Sequence, residues 1–120
     1  MTSAVLVTDD EPDIRLMLRT VLQARGWTVE EASSGDEAIA RIERGGLDVV
    51  ILDHKMPGLT GAETARKLRA HGVTTPIVLY SAYLTPEIEA DAEAEGLEAV
   101  AKDDLPGLVA LLDRLRPTLR

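Results

Sequence analysis

Apolar runs of strand length alternate with amphipathic stretches of helix length along the whole chain. The runs Ala4 to Thr8, Trp27 to Ala32, Asp48 to Asp53, Pro76 to Tyr80 and Leu97 to Ala101 read as strands. Segments of roughly 10 to 14 residues separate them, the length that a right-handed crossover between parallel strands requires. The pattern is (βα)5. Val49-Val50-Ile51-Leu52 and Ile77-Val78-Leu79 lack polar alternation, as expected of central strands covered by helices on both faces. Thr28-Val29-Glu30-Glu31-Ala32 is more polar and reads as an edge strand.

Start and stop signals agree with these boundaries. Pro12 near a helix start costs no hydrogen bond, and Gly26 is placed to end that helix in a left-handed conformation. Ser34-Gly35-Asp36-Glu37 and Thr60-Gly61-Ala62-Glu63 both fit the capping box, in which a hydroxyl and a carboxylate satisfy orphan amides reciprocally. Thr85-Pro86-Glu87 reads as cap, first helical Pro and dipole-favoured acid, with Gly96 as the stop. A last helix runs from Leu105 or Pro106 to about Arg116, ended by Pro117. Thr118-Leu119-Arg120 reads as a short tail.

A chain of 120 residues with no linker, repeat or low-complexity segment is expected to form one domain over residues 1–120, without an output domain. No membrane span or signal-peptide layout is visible, so the cytoplasm is the expected location. The absence of cysteine excludes disulfides, thiolate metal sites and Cys nucleophiles. A net charge of −8 argues against nucleic-acid binding by this domain, which begins with neutralising phosphates. Phe is also absent and aromatics make up only 2%, which leaves a core of Ala, Val, Leu and Ile and no base-stacking platform.

The chemistry concentrates at strand ends. Asp9-Asp10-Glu11 follows the first apolar run and Asp53 closes the third. In a parallel α/β sheet the carboxyl ends of neighbouring strands share one edge, so Asp9, Asp10 and Asp53 are expected to converge. Converging carboxylates repel unless one is protonated or a cation lies between them, and hard oxygen ligands suit Mg²⁺. Ser81 and Lys102 follow the fourth and fifth runs, which brings a hydroxyl and an ammonium to the same edge. An aspartate can attack phosphorus to form an aspartyl-phosphate, and Asp53 is the candidate nucleophile.

With these residues placed, the chain resembles the receiver domain of two-component response regulators. The Asp9-Asp10 pair, the motif Asp53-x-x-Met56-Pro57-x-x-x-Gly61, the Ser81-Ala82 pair and Lys102 occur in that family's order and spacing, from Val5 to about Leu115. The resemblance implies a flavodoxin-like, CheY-like doubly wound parallel sheet in the order 2-1-3-4-5, with the site at the switch point between strands 1 and 3. It implies that Asp53 accepts a phosphoryl group from a sensor histidine kinase or a histidine phosphotransfer protein. Asp10 and Asp53 would bind Mg²⁺ directly, Asp9 through water, and Lys55 through its backbone carbonyl. Ser81 would move toward the phosphoryl group and Lys102 would pair with its charge. A downstream protein partner, on a surface of helix 4, strand 5 and helix 5, and a monomer or weak dimer are further expectations.

Two positions depart from the family. Most receivers carry Tyr or Phe three residues before the lysine, where this chain has Ala99, and the lysine is commonly followed by Pro, where this chain has Asp103. Tyr83, two residues after Ser81, is a candidate replacement for the missing aromatic or a shield against water. Plainer roles compete at several sites. Glu11 reads as a cap or surface charge, His54 as a side chain directed away from Asp53, His71 as a helix-end His, and Trp27 and Tyr80 as packing residues. The plainer role for Lys102 is a pair with Asp103 or Asp104, against which its spacing with Ser81 argues. Two alternative functions stay open: a docking receiver independent of phosphorylation, and a Mg²⁺-dependent aspartyl-phosphate phosphohydrolase. The latter class usually has an Asp where this chain has Lys55.

Overall fold

The structure is a computed structural model, and it describes residues 3–117. Strands and helices alternate strictly. They are β1 (Ser3–Thr8), α1 (Pro12–Ala24), β2 (Trp27–Ala32), α2 (Gly35–Ile42), β3 (Val49–Leu52), α3 (Gly61–Ala70), β4 (Ile77–Ser81), α4 (Pro86–Ala94), β5 (Glu98–Ala101) and α5 (Leu105–Leu115). All strand pairs are parallel and the order is β2-β1-β3-β4-β5, as the sequence resemblance implied. The tail from Thr118 lies outside the described residues.

Alternate residues of the central strands enter two separate cores. Val5 and Val7, Val49 and Ile51, and Val78 and Tyr80 face one side, where Leu18 and Leu22 of α1 and Leu108, Leu111 and Leu112 of α5 cover them. Leu6, Val50, Leu52, Ile77 and Leu79 face the other side, against Ala38 and Ile42 of α2, Ala65 and Leu68 of α3, and Ala92 of α4. Both faces are therefore buried, which is why these runs show no polar alternation. The residue pointing into a core changes with every step, so a one-residue slip of register would exchange the two faces.

The edges are handled differently. On β2, Glu30 pairs with Arg41 of α2, while Glu31 pairs with Arg15 and Arg19 of α1. These charges blunt the edge against pairing with another chain. On the opposite edge β5 is only half buried.

Local chemistry mostly follows the sequence signals. Gly26 and Gly96 adopt positive φ, of 89° and 71°, at the ends of α1 and α4. Thr60 and Glu63 form the full capping box at α3. At α2 the box is only half made: Ser34 accepts the Glu37 amide, but the Glu37 carboxylate takes the Ser33 hydroxyl instead. A neighbouring donor one residue upstream captured the carboxylate. Asp104 caps α5 by accepting the Gly107 amide. Strand bounds shift slightly: β3 excludes Asp48 and Asp53, and Ser81 is the last residue of β4.

Gly61 starts α3 where the helix meets the loop after β3. A Cβ there would lie 2.6 Å from the Asp53 carbonyl oxygen, 2.6 Å from a Leu79 methyl and 3.0 Å from the His54 Cα. Two of these neighbours are backbone and cannot turn away. Gly61→Ala is therefore expected to destabilise the fold by about 1–3 kcal/mol, the usual cost of overpacking, as read from urea unfolding. Unchanged stability would mean that the α3 start can retreat from the Asp53 loop.

Candidate functional site

Four strand ends supply the site. Asp9 follows β1 and is held in place by its amide, which donates to Ala32 of β2 at 3.1 Å, while its Oδ1 accepts the Glu11 amide at 2.9 Å. Asp53 follows β3, and its amide donates to the Thr8 carbonyl at 2.9 Å. Ser81 ends β4. Lys102 follows β5 and its amide donates to the Ser81 carbonyl at 2.8 Å. Asp9, Asp53 and Lys102 are thus each tied to the neighbouring strand by a ladder-like bond just beyond the sheet, and Ser81 accepts one of the three.

The carboxylates converge as expected: one oxygen from each of Asp9, Asp10 and Asp53 lies within 4.8 Å of the others. Asp9 and Asp53 are 2% and 4% exposed, whereas Asp10 faces solvent. The Lys102 Nζ lies 2.8 Å from Asp9 and 3.3 Å from Asp53. It pairs with these buried acids rather than with Asp103 or Asp104.

Burial raises the pKa of Asp53 to about 6, reinforced by the charge of Asp9 and opposed by the Lys102 ammonium and the Lys55 amide. Burial alone would lower the pKa of Lys102, but its hydrogen bond to Asp9 and the charges of both acids outweigh this and raise it. At neutral pH the centre therefore holds an ionised carboxylate against a fixed ammonium. Three carboxylates face one lysine, which leaves negative charge to be neutralised. The donor set is all oxygen and part of it is open to solvent, which fits a hard divalent ion such as Mg²⁺.

An open depression of about 280 Å³ adjoins Asp53. Ser81, Lys102, Lys55, His54, Tyr83, Ala82, Ile88 and Glu11 line it with Asp53. The Ser81 hydroxyl is turned toward its own loop and donates to the Tyr83 carbonyl at 3.1 Å. Tyr83 itself is 72% exposed. The ring Nδ1 of His54 is buried without a hydrogen-bond partner, and the His54 carbonyl accepts the Gly61 amide. His71 caps the end of α3 and pairs with Glu43. Lys102–Asp103 is a trans peptide bond, since no cis bond occurs among the described residues.

Sequence reasoning missed Arg15. Its Nη1 donates to the Asp9 carbonyl at 2.7 Å while its Nε holds Glu31 at 2.9 Å, so the acidic loop is braced against the edge strand. The available signal was an Arg in the first turn of α1 facing an acidic edge strand.

Comparison with known proteins agrees with this geometry. Residues 5–113 match the family model described as the response regulator receiver domain. The chain is 39% identical to the response regulator MprA of Mycobacterium ulcerans, aligned over all of this chain and 51% of the relative. It is 36% identical to the transcriptional regulatory protein TrcR of Mycobacterium tuberculosis, over 97% of this chain and 45% of the relative. The chain spans about half the length of these curated relatives. Among solved structures, the chemotaxis protein CheY4 of Vibrio cholerae superposes with a TM-score of 0.87 at 33% identity, covering 96% of this chain and 99% of that one. The response regulator TrrA of Thermotoga maritima, solved in complex with Mg(2+)-BeF, gives 0.85 at 32% identity, covering 95% and 99%.

An acid with a raised folded pKa binds its proton more tightly in the folded state. Stability is therefore lost as pH rises from the ordinary value of 3.8 through about 6. In the absence of divalent cation, Asp53→Asn is expected to be more stable than wild type by about 1–3 kcal/mol at about pH 8, with the gap closing near pH 4. Denaturant unfolding across pH checks this. A gap independent of pH would assign the effect to packing rather than to charge.

Proposed function

This chain belongs to the response regulator receiver family of two-component signalling, and from that premise we propose that Asp53 is its phosphoacceptor. The observation that carries the reading is the buried Asp53 carboxylate on the wall of an open depression, with the Lys102 ammonium 3.3 Å away. Receiver domains of response regulators interact with histidine kinases or phosphotransfer proteins. The donor here is a phosphohistidine of such a partner. An Asp53 oxygen forms the new O–P bond, the P–N bond breaks, and its electron pair leaves with the imidazole nitrogen, which takes up a proton.

The residues divide the work by position. Asp10 and Asp53 would hold Mg²⁺, with Asp9, by way of water, and the Lys55 backbone carbonyl as its further ligands. When bound, the ion neutralises charge on the incoming phosphoryl oxygens. Lys102 supplies a fixed positive charge on the other side. Ser81 exchanges its bond with the Tyr83 carbonyl for one with a phosphoryl oxygen, which frees the loop leading to α4. Tyr83, already at the mouth of the depression, limits access of water to the phosphoryl group. The domain then signals through protein contacts made by its own surface, in the cytoplasm, as a monomer or weak dimer; α4 presents Glu87, Glu89, Asp91 and Glu93 to a basic partner. No helix among the described residues is long and apolar enough to cross a membrane. Slow hydrolysis of its own aspartyl-phosphate is the only turnover in this reading.

A second reading rests on Ala99. Where most receivers turn an aromatic inward, this chain has a half-buried methyl group, which favours docking that ignores phosphorylation.

Incubation with Mg²⁺ and phosphoramidate, followed by intact mass, is expected to add one phosphoryl group to wild type and none to Asp53→Asn. A partner that binds Asp53→Asn and phosphorylated wild type equally would favour the docking reading, and turnover of an aryl phosphate would favour a phosphohydrolase. Tyr83→Ala is expected to shorten the phosphoryl lifetime severalfold, on the scale of losing one water-excluding side chain. An unchanged lifetime would remove Tyr83 from the mechanism.

A further inference from the structure

Tyr80 is the largest fully buried side chain of the central sheet, 1% exposed and packed in the core beneath α1 and α5. Its hydroxyl is not idle there. It donates to the carbonyl oxygen of Lys102 at 3.0 Å, across from β4 to the residue just past the end of β5. Burial raises the phenol's pKa, so it keeps its proton and acts as the donor.

Lys102 is thereby gripped twice by consecutive residues of β4. Its amide donates to the Ser81 carbonyl at 2.8 Å and its carbonyl accepts from the Tyr80 side chain. The two bonds fix the peptide planes on either side of the Lys102 Cα and so set the direction of its Cβ. That direction matters because the side chain must span four torsions to place one ammonium against both Asp9 and Asp53. The only other backbone hydrogen bond across this point is the turn in which the Asp104 amide donates to the Ala101 carbonyl at 2.9 Å, among the described residues. β5 is only half buried, Asp103 and Asp104 are exposed, and with Asp103 in the next position no pyrrolidine ring stiffens the chain.

We propose that Tyr80 is a positioning residue of the phosphoacceptor site: by holding the Lys102 carbonyl, its hydroxyl fixes the base from which Lys102 reaches the two buried aspartates. The competing explanation is that a buried phenol needs some hydrogen-bond partner and the Lys102 carbonyl is merely the nearest. That explanation predicts a loss of stability alone. Positioning predicts an effect that passes through Lys102.

The proposal rests on the phosphoacceptor reading, and a double-mutant cycle separates the two. Tyr80→Phe removes one oxygen and keeps the ring. It is expected to slow Mg²⁺-dependent phosphorylation by phosphoramidate about fivefold, the factor that one neutral hydrogen bond is worth. In a Lys102→Ala background the same substitution is expected to change the rate no further. Equal slowing in both backgrounds, or no slowing in the Tyr80→Phe single variant, would overturn the proposal. A second readout needs no phosphorylation: the Lys102 ammonium, held between two buried carboxylates, should give a slowly exchanging proton–nitrogen NMR signal that Tyr80→Phe accelerates toward solvent. If wild type accepts no phosphoryl group, the phosphoacceptor reading fails, and this signal alone decides whether Tyr80 positions Lys102. An unaltered signal would then overturn the proposal.

Discussion

One ammonium organises this molecule. Asp9 and Asp53 are buried within reach of each other, and burial together with the charge of Asp9 disfavours the ionised form of Asp53. Lys102 lies between them and makes their coexistence at the sheet edge tolerable. The price is stability at neutral pH, because Asp53 still ionises less readily than an ordinary carboxyl group. A centre that is strained in its resting state responds strongly to any added cation or anion, and a switch requires that sensitivity.

The fold can hold such charges because its two cores are independent of them. Alternate residues of β1, β3 and β4 bury aliphatic side chains on both faces, and the carboxyl ends of the same strands project just beyond the aliphatic layers. The register bonds Asp53 to Thr8 and Lys102 to Ser81 carry the order of the sheet one residue further, into the site. Braces outside the sheet add to this. Arg15 ties the acidic loop to Glu31, and Gly61 lets α3 start against the Asp53 backbone.

The architecture was legible in the sequence because apolar runs, helix caps and Gly stops all pointed to the same (βα)5 pattern. The converging carboxylates and Lys102 were legible because parallel strands must deliver their ends to one edge. Three features were not. The Glu37 carboxylate chose Ser33 over the Ser34 amide, a competition between donors one residue apart that spacing rules do not resolve. The pairing of Arg15 with Glu31 left a signal in the sequence, but its bond to the Asp9 backbone carbonyl, which braces the site, leaves no trace in side-chain composition. Tyr80 read as packing, and it does pack; its hydroxyl reaches the carbonyl two residues beyond its register partner Val100, a placement that only the β4–β5 register creates.

The soft part of the molecule is α4, which follows β4 and the loop held by Ser81. α4 buries only Ala92 fully and packs Ile88 partly, so its apolar anchorage is slight. Its C-terminal end is tied to α3, where Arg66 pairs with the Glu95 carboxylate and Arg69 donates to the Glu95 carbonyl. Its N-terminal end is capped by Thr85, two residues past Tyr83, whose carbonyl is held by Ser81. A helix fixed at one end and held at the other by a bond from the site is free to pivot once that bond is exchanged. The rigid side of the site, built on Asp9, Asp53 and Lys102, supplies the fixed charges, and Ser81 is the one site group whose present partner lies in the loop that leads to α4.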